Sequence, residues 1–514
     1  MKIERSKNAS RNIIFGTLLK CYEILVPFIM RSVMVHELGV KYLGLNSLFT
    51  SILQVLNLAE LGVGSAMVFS MYKPIAEDDT EKICAYMHMY KIYYRVIGAV
   101  IMLIGLVITP FVPRLIKGTV PAELNVYILY LLNLFATVLT YWLFSYRNSI
   151  LSAHQRRDVI SKVKIVTDTI KYLVQLLILV VFHNYYLYVI AILFTQAVNN
   201  IASAVISKKM YPEYDPKGSL SEEERKAVNQ RIRDLFTSKL GGTIVGSADT
   251  IVISAFLGLE MLAMYQNYYH IMNSVLGFLT IIHSSIVAGV GNSMLVKSLE
   301  KNRKEFHTFT FLIAWVSTVC VSCFLVLYQP FMRKWMGKDM LLDNNMVLLF
   351  CIYFWVYEIV KMISVYKDAG GIWHEDRFRP LISGTVNLCL NLIMVQFIGI
   401  YGIVLSTIIS VCFISIPWII NNVHKLIFKE STKGYWIEII KYTISIFATG
   451  LVCQGLSMLV PGHGVGIIII KGMIAVVVSN IAFLLLYRNS PYYDDSKTLL
   501  YKMLKHGKNK TDKR

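Results

Sequence analysis

The sequence predicts an all-α polytopic membrane protein with about 14 transmembrane helices. Two observations carry that prediction. Hydrophobic residues make up 55% of the 514 positions and charged residues only 16%, with a mean hydropathy of +0.55. A hydrocarbon core about 30 Å thick takes roughly 20 apolar residues per helix. Runs of that length fall near 12–34, 44–70, 88–112, 122–146, 163–183, 185–207, 235–257, 261–290, 306–329, 342–366, 380–398, 401–424, 436–460 and 463–487.

The loops between the runs fix the orientation. With a cytoplasmic N-terminus, most of the 51 Lys and Arg fall on or beside cytoplasmic loops and tails. Arg31, Lys41, Arg114, Lys117, Arg333, Lys334 and Lys338 lie toward the outer side, and Lys20 and Lys471 lie inside spans. This is the positive-inside pattern of an inner or plasma membrane protein with both termini in the cytoplasm. The net charge of +19 is spread over many cytoplasmic segments, so it reads as topogenesis and attraction to anionic lipid rather than nucleic-acid binding. Lys2, Arg5, Lys7 and Arg11 precede a first run too long for a signal-peptide core, and it reads as an uncleaved span.

The eight cysteines lie in or beside spans, and no disulfide framework is indicated. Cys320 and Cys323 form a C-x-x-C inside an apolar helix without further ligands at metal spacing, so they read as small buried hydrophobes.

Outer turns at His183–Tyr186, Gly258–Glu260, Gly399–Tyr401 and Pro461–Gly464 are too short for an outer domain. The longest hydrophilic stretch is Lys208–Asp234. Ser221 and Glu224 in it have capping-box spacing, and Val228, Ile232 and Leu235 give the following helix an apolar face. The chain therefore divides into an N-terminal lobe over 1–207, a linker with an amphipathic helix over 208–234, and a C-terminal lobe over 235–424. Two further helices fill 425–487, and a basic tail runs over 488–514.

The two lobes carry a parallel repeat of six helices each. Leu38-Gly39 is followed by Gly62-Val-Gly-Ser-Ala-Met67, and Leu257-Gly258 by Gly289-Val-Gly-Asn-Ser-Met294. Lys20 and Lys239 stand at the same distance before the two LG glycines. An even number of spans separates the copies, so both have the same orientation.

Ionisable groups inside spans are costly and belong against a cavity. Lys20, Glu23 and Arg31 share one broad face of the first span, with Glu23 positioned to pair with Lys20. Glu60 lies in the second span, Asp249 in the seventh, and His270 and His283 in the eighth. Lys239 faces a cavity or snorkels to an interface. No P-loop, H-E-x-x-H, G-x-S-x-G or zinc motif is present, so neither a nucleotide site nor a resident cofactor or metal is expected. His374, Glu375, Asp376 and Arg377 read as a charged cytoplasmic loop with Arg379.

Residues 38–82 (LGVKYLGLNSLFTSILQVLNLAELGVGSAMVFSMYKPIAEDDTEK) and 146–161 (YRNSILSAHQRRDVIS) resemble Wzx-type polysaccharide repeat-unit flippases of the multidrug/oligosaccharidyl-lipid/polysaccharide (MOP) exporter superfamily. The resemblance implies two six-helix lobes around a central cavity plus two C-terminal helices. It implies a transporter rather than an enzyme, moving undecaprenyl-pyrophosphate-linked oligosaccharide to the outer leaflet for capsule, exopolysaccharide or O-antigen-type synthesis. Membrane lipids, a polysaccharide polymerase and a chain-length regulator are the implied partners, with Na+ or H+ coupling open. By analogy, Arg31, Lys20 and Lys239 would hold the pyrophosphate. Glu23, Glu60, Asp249, Gln266, Asn267 and His270 would line the cavity for sugar hydroxyls or a coupling cation. A lipid II flippase and a cation-coupled exporter are alternatives within the superfamily. A membrane polymerase or glycosyltransferase is the alternative from another class, disfavoured by the short outer loops.

Overall fold

The computed structural model describes residues 5–462 and 464–498. Within them, thirteen helices are long and apolar enough to cross a membrane, or fourteen if one bent pair counts as a single span. That pair is Val126–Trp142 with Ser145–Ala153, bent by 47°, and it takes the place of the expected fourth span. No strand occurs among the described residues. The tail beyond Thr498 lies outside them.

Helices α1 (Arg5–Glu37), α2 (Val40–Leu56), α3 (Val63–Ala76), α4 (Thr80–Ile108), α5 (Val126–Trp142), α6 (Asn148–Ala153), α7 (Arg157–Leu177) and α8 (Tyr185–Met210) come first. They are followed by α9 (Glu222–Leu257), α10 (Leu259–Val296), α11 (Leu299–Trp335), α12 (Asn344–Ala369), α13 (Arg379–Ile398), α14 (Ile400–Ser410), α15 (Ile416–Asn422), α16 (Lys433–Met458) and α17 (Val465–Tyr487). The backbone divides into two compact units, Met1–Gln266 with Asn391–Ile400, and Asn267–Leu390 with Tyr401–Arg514.

In the first unit α1 packs on α7, α7 and α5 on α8, α4 on α5, and α2 on α9. Leu45, Leu48, Met67, Met71, Ile83, Leu129 and Leu134 are fully buried between them. Leu103, Val107, Leu173 and Phe194 are exposed, which is normal for a surface solvated by lipid tails. The capping box forms as expected at Ser221 and Glu224, and α9 then runs 36 residues without a break. The amphipathic stretch and the seventh span are thus one helix.

The LG pairs have matched geometry. Gly39 (φ 110, ψ 168) and Gly258 (φ 92, ψ 175) both turn the chain between antiparallel helices in a conformation that a Cβ disfavours. The two GVG strings differ. Gly62 (φ 89) ends a 3-10 turn over Asn57–Glu60 and breaks the second span, whereas Gly289 lies within the continuous α10. A shared string therefore yields a break in only one copy.

The stretch 146–161 folds the bend that follows α5. Phe144 and Gln155 take positive φ. Arg147 is buried, with its guanidinium 3.3 Å from Asp215, and its carbonyl accepts a bond from the Ser207 hydroxyl. Asn12 donates to the Gln155 carbonyl (2.9 Å) and accepts from the Asp158 amide (2.7 Å), tying α1 to the start of α7. His154 is buried and stacks on Tyr211 and Tyr214, with centroids 4.4 and 5.6 Å away. Burial pushes its imidazole from 6.5 down to about 4. The unfolded chain therefore binds a proton here that the folded chain does not, and stability falls as pH drops from 6.5 toward 4. In thermal melts of purified protein, His154→Phe should remove part of that acid sensitivity; an unchanged slope would refute the assignment.

In the second unit α11 is central. It contacts α12, α16 and α17, and Phe306, Phe311, Phe350, Phe354 and Trp355 fill the core around it. The last two helices dock by specific contacts. Trp315 donates to Asn480 (2.9 Å) and stacks on Phe483 (5.5 Å), while Trp355 donates to Thr443 (2.8 Å). Cys320 and Cys323 are free thiols on α11. Asp376 is engaged by Arg379 (2.6 and 2.8 Å) and Lys367 (3.4 Å), so that charged loop is held by its own ion pairs.

Candidate substrate-binding faces

Helix α7 of the first unit carries charged residues well into its apolar span. At about 100° per residue, Lys164, Asp168, Lys171 and Gln175 fall within roughly 60° of arc. Val166, Ile170, Leu173 and Leu177 fall on the opposite side and are exposed, as is the neighbouring Val174. One face therefore suits lipid, and the other carries ions that need water or counter-charges.

Those ions are partly compensated. Lys164 Nζ lies 2.5 Å from Glu23 Oε1 on α1, and Lys171 Nζ lies 2.7 Å from Asp168 Oδ1. Glu23 thus pairs with Lys164 rather than with Lys20. Lys20 is half-buried and has no ion-pair or hydrogen-bond partner among the described residues. The Tyr22 hydroxyl donates to Thr169 (3.0 Å), and Lys171 sits 4.3 Å over the Tyr172 ring. Lys164 and Glu23 keep 42% and 34% of their side-chain surface accessible, so this pair borders open space.

Arg31 stands further along α1. It is densely surrounded by protein yet retains accessible surface, and it lies within electrostatic reach of Tyr188 on α8. Gln175 of the α7 stripe donates to the Tyr188 carbonyl (3.3 Å). Tyr188 stacks on Tyr185 (5.7 Å), whose ring meets Tyr42 edge-on (5.4 Å), and the Tyr42 hydroxyl donates to Glu123. The α1–α7–α8 face thus offers cations in excess over carboxylates, followed by a run of tyrosines. The cations of such a face can hold a diphosphate by charge-assisted hydrogen bonds, while the tyrosines are buried and pack on one another.

The remaining candidates occupy separate places. Glu60 sits at the break in the second span and accepts from the Tyr94 hydroxyl (3.0 Å), which itself accepts from Tyr90 (2.6 Å). Asp249 is buried on α9 and accepts from Asn391 (2.6 Å) and Tyr265 (3.3 Å), while Gln266 donates to Thr250 (2.7 Å). In the second unit Asn267 is fully buried, and His270 is part-buried with its carbonyl bonded to Ser274. Lys239 lies on α9, and its side chain is outside the described residues. No cluster of three or more His, Cys, Asp or Glu suited to a metal occurs among the described residues.

Sequence reasoning missed Lys164, Asp168 and Lys171, assigning the lysines to the preceding loop. Their i, i+4, i+7 spacing against an opposite apolar stripe is the signal that finds them. It also missed Glu358, an acid in the middle of the apolar α12.

Membrane-crossing helices that turn ion-bearing faces away from their apolar, exposed sides define a multi-pass membrane protein. Its fold is similar to that of solved membrane transporters. The lipid II flippase MurJ in an inward closed conformation matches with a TM-score of 0.65 and 15% identity, covering 93% of this chain and 99% of that one. A mutant of the Vibrio cholerae MATE transporter VcmN matches at TM-score 0.55 and 13% identity, over 83% of this chain and 99% of that one. A MOP superfamily transporter from Pyrococcus furiosus matches at TM-score 0.52 and 12% identity, over 83% and 97%. No curated protein matches the sequence. The family model described as polysaccharide biosynthesis protein matches residues 9–287, more than half of the chain, and the chain belongs to that family.

Proposed function

We propose that this protein is a flippase that carries polyprenyl-pyrophosphate-linked oligosaccharide repeat units from the cytoplasmic to the outer leaflet of a bacterial inner membrane. The observation that supports this most is the α1–α7 face, where Lys164, Asp168 and Lys171 with Glu23 oppose a lipid-facing stripe. A diphosphate-sugar headgroup cannot enter hydrocarbon without replacing its water, and such a face offers the replacement. Arg31, Lys20 and Lys239 take the pyrophosphate in this reading. The polyprenyl tail stays in lipid throughout.

The absence of a P-loop in the sequence leaves ion gradients, membrane potential or product removal as the drive. Moving one negative charge outward across an inside-negative 100 mV potential gains roughly 2.3 kcal/mol. Membrane-spanning acids such as Glu60 and Asp249 are the groups assigned to a coupling cation.

A lipid II substrate is the second reading, favoured by the fold match to a lipid II flippase over 93% of the chain. Mass spectrometry of the polyprenyl-linked lipids that accumulate when the protein is deleted separates the two. Accumulation of a lipid-linked oligosaccharide repeat unit is expected. Accumulation of lipid II alone would replace the proposal with the second reading.

A further inference from the structure

The second unit holds an acid and a base that no polysaccharide contact accounts for. Glu358 on α12 is fully buried, His283 on α10 is 4% exposed, and Nε2 of the imidazole lies 3.5 Å from Oε2 of the carboxylate. Neither ring nitrogen and neither carboxylate oxygen finds a hydrogen-bond partner among the described residues. A purely structural buried ion pair survives its desolvation only when further hydrogen bonds hold it. This pair has none, so its two groups are free to change charge.

The surroundings set which charge changes. Lys361, one turn further along α12, is within electrostatic reach of both groups. From α11, Cys320 lies within reach of Glu358, and the Phe309 ring meets His283 edge-on at 6.0 Å. The other elements packed on α12, α15 with the turns on either side of it and α16, bring Cys412, His424, Lys425, Glu438 and Lys441, none of which bears on the pair. With Glu358 ionised, His283 neutral and Lys361 charged, the group is net neutral. One added proton makes it net positive wherever that proton sits.

We propose that His283 and Glu358, with Lys361 as their fixed counter-charge, form a proton-binding site inside the membrane. A neutral group tolerates burial, and a net positive one favours an arrangement open to water. Proton loading thereby biases the packing of α10 against α12. Its use as the coupling ion rests on the transport reading above, whereas proton binding itself does not.

The test needs no substrate. Purified protein in weakly buffered detergent is stepped from about pH 8 to pH 5 with a pH dye, across the range where histidines and perturbed carboxyls titrate. The wild type should take up about one proton per molecule more than Glu358→Gln, since the pair acts as one coupled site. Lys361→Met keeps the pair and removes a repelling cation, so its uptake midpoint should rise by about one pH unit. Equal uptake by wild type and Glu358→Gln, both monodisperse, would overturn the site. If Glu358→Gln does not fold, a Lys361→Met midpoint identical to wild type overturns it equally.

Discussion

Arg31→Ala should abolish surface polysaccharide while the protein still inserts at its normal level. Arg31 on α1 is enclosed by protein, keeps part of its surface accessible and lies within electrostatic reach of Tyr188 on α8. A hydrogen bond to a charged group contributes roughly 1.5–3 kcal/mol. Its loss slows transport by about ten- to a hundredfold if the contact tightens during passage. Arg31→Lys keeps the charge but loses the bidentate fork, and should fall between the two. Polymer analysis alongside membrane immunoblots reads both quantities. Normal polymer in the Arg31→Ala strain would remove Arg31 from the passage.

Gly44→Ala should damage the fold more than any other single methyl addition in the first unit. A Cβ at Gly44 on α2 would collide with the carbonyl oxygen of Leu259, with the Leu259 Cα only 3.0 Å away. These are backbone atoms at the start of α10, directly after Gly258, whose φ of 92° fixes the turn. The Lys117 carbonyl closes on Gly258 from a third segment, 2.9 Å from where a Cβ would stand, so the turn cannot retreat. Overpacking costs roughly 1–3 kcal/mol where side chains can adjust, and here only backbone could. Gly246→Ala is the control, because nothing lies within 4 Å of that position and alanine favours the helix. Thermal melts should show a clear drop for Gly44→Ala and none for Gly246→Ala. Equal melting of both variants would mean that α2 does not approach Leu259 so closely.

The spans were legible in the sequence because a bilayer demands twenty-odd apolar residues per crossing, whatever the fold. The LG turns were legible for a related reason, since only glycine accepts the conformation found at Gly39 and Gly258. Pairings across the chain were not. Glu23 has Lys20 three residues away but meets Lys164, because α7 packs on α1 and brings its own lysine to that level. Local spacing contains no term for such an approach. The break at Gly62 was hidden for another reason. Its GVG string also occurs within the unbroken α10, and the difference lies in the NLAE turn before Gly62 rather than in the glycines. Glu358 was invisible as one acid in an apolar run until α10 set His283 beside it.

The central claim is tested most directly in proteoliposomes loaded with a polyprenyl-pyrophosphate oligosaccharide, by the rate at which its sugar becomes accessible on the opposite face. Wild-type protein should expose the sugar many times faster than protein-free vesicles, and Arg31→Ala should lose most of that gain. A wild-type rate equal to that of protein-free vesicles, from correctly folded protein, would contradict the account.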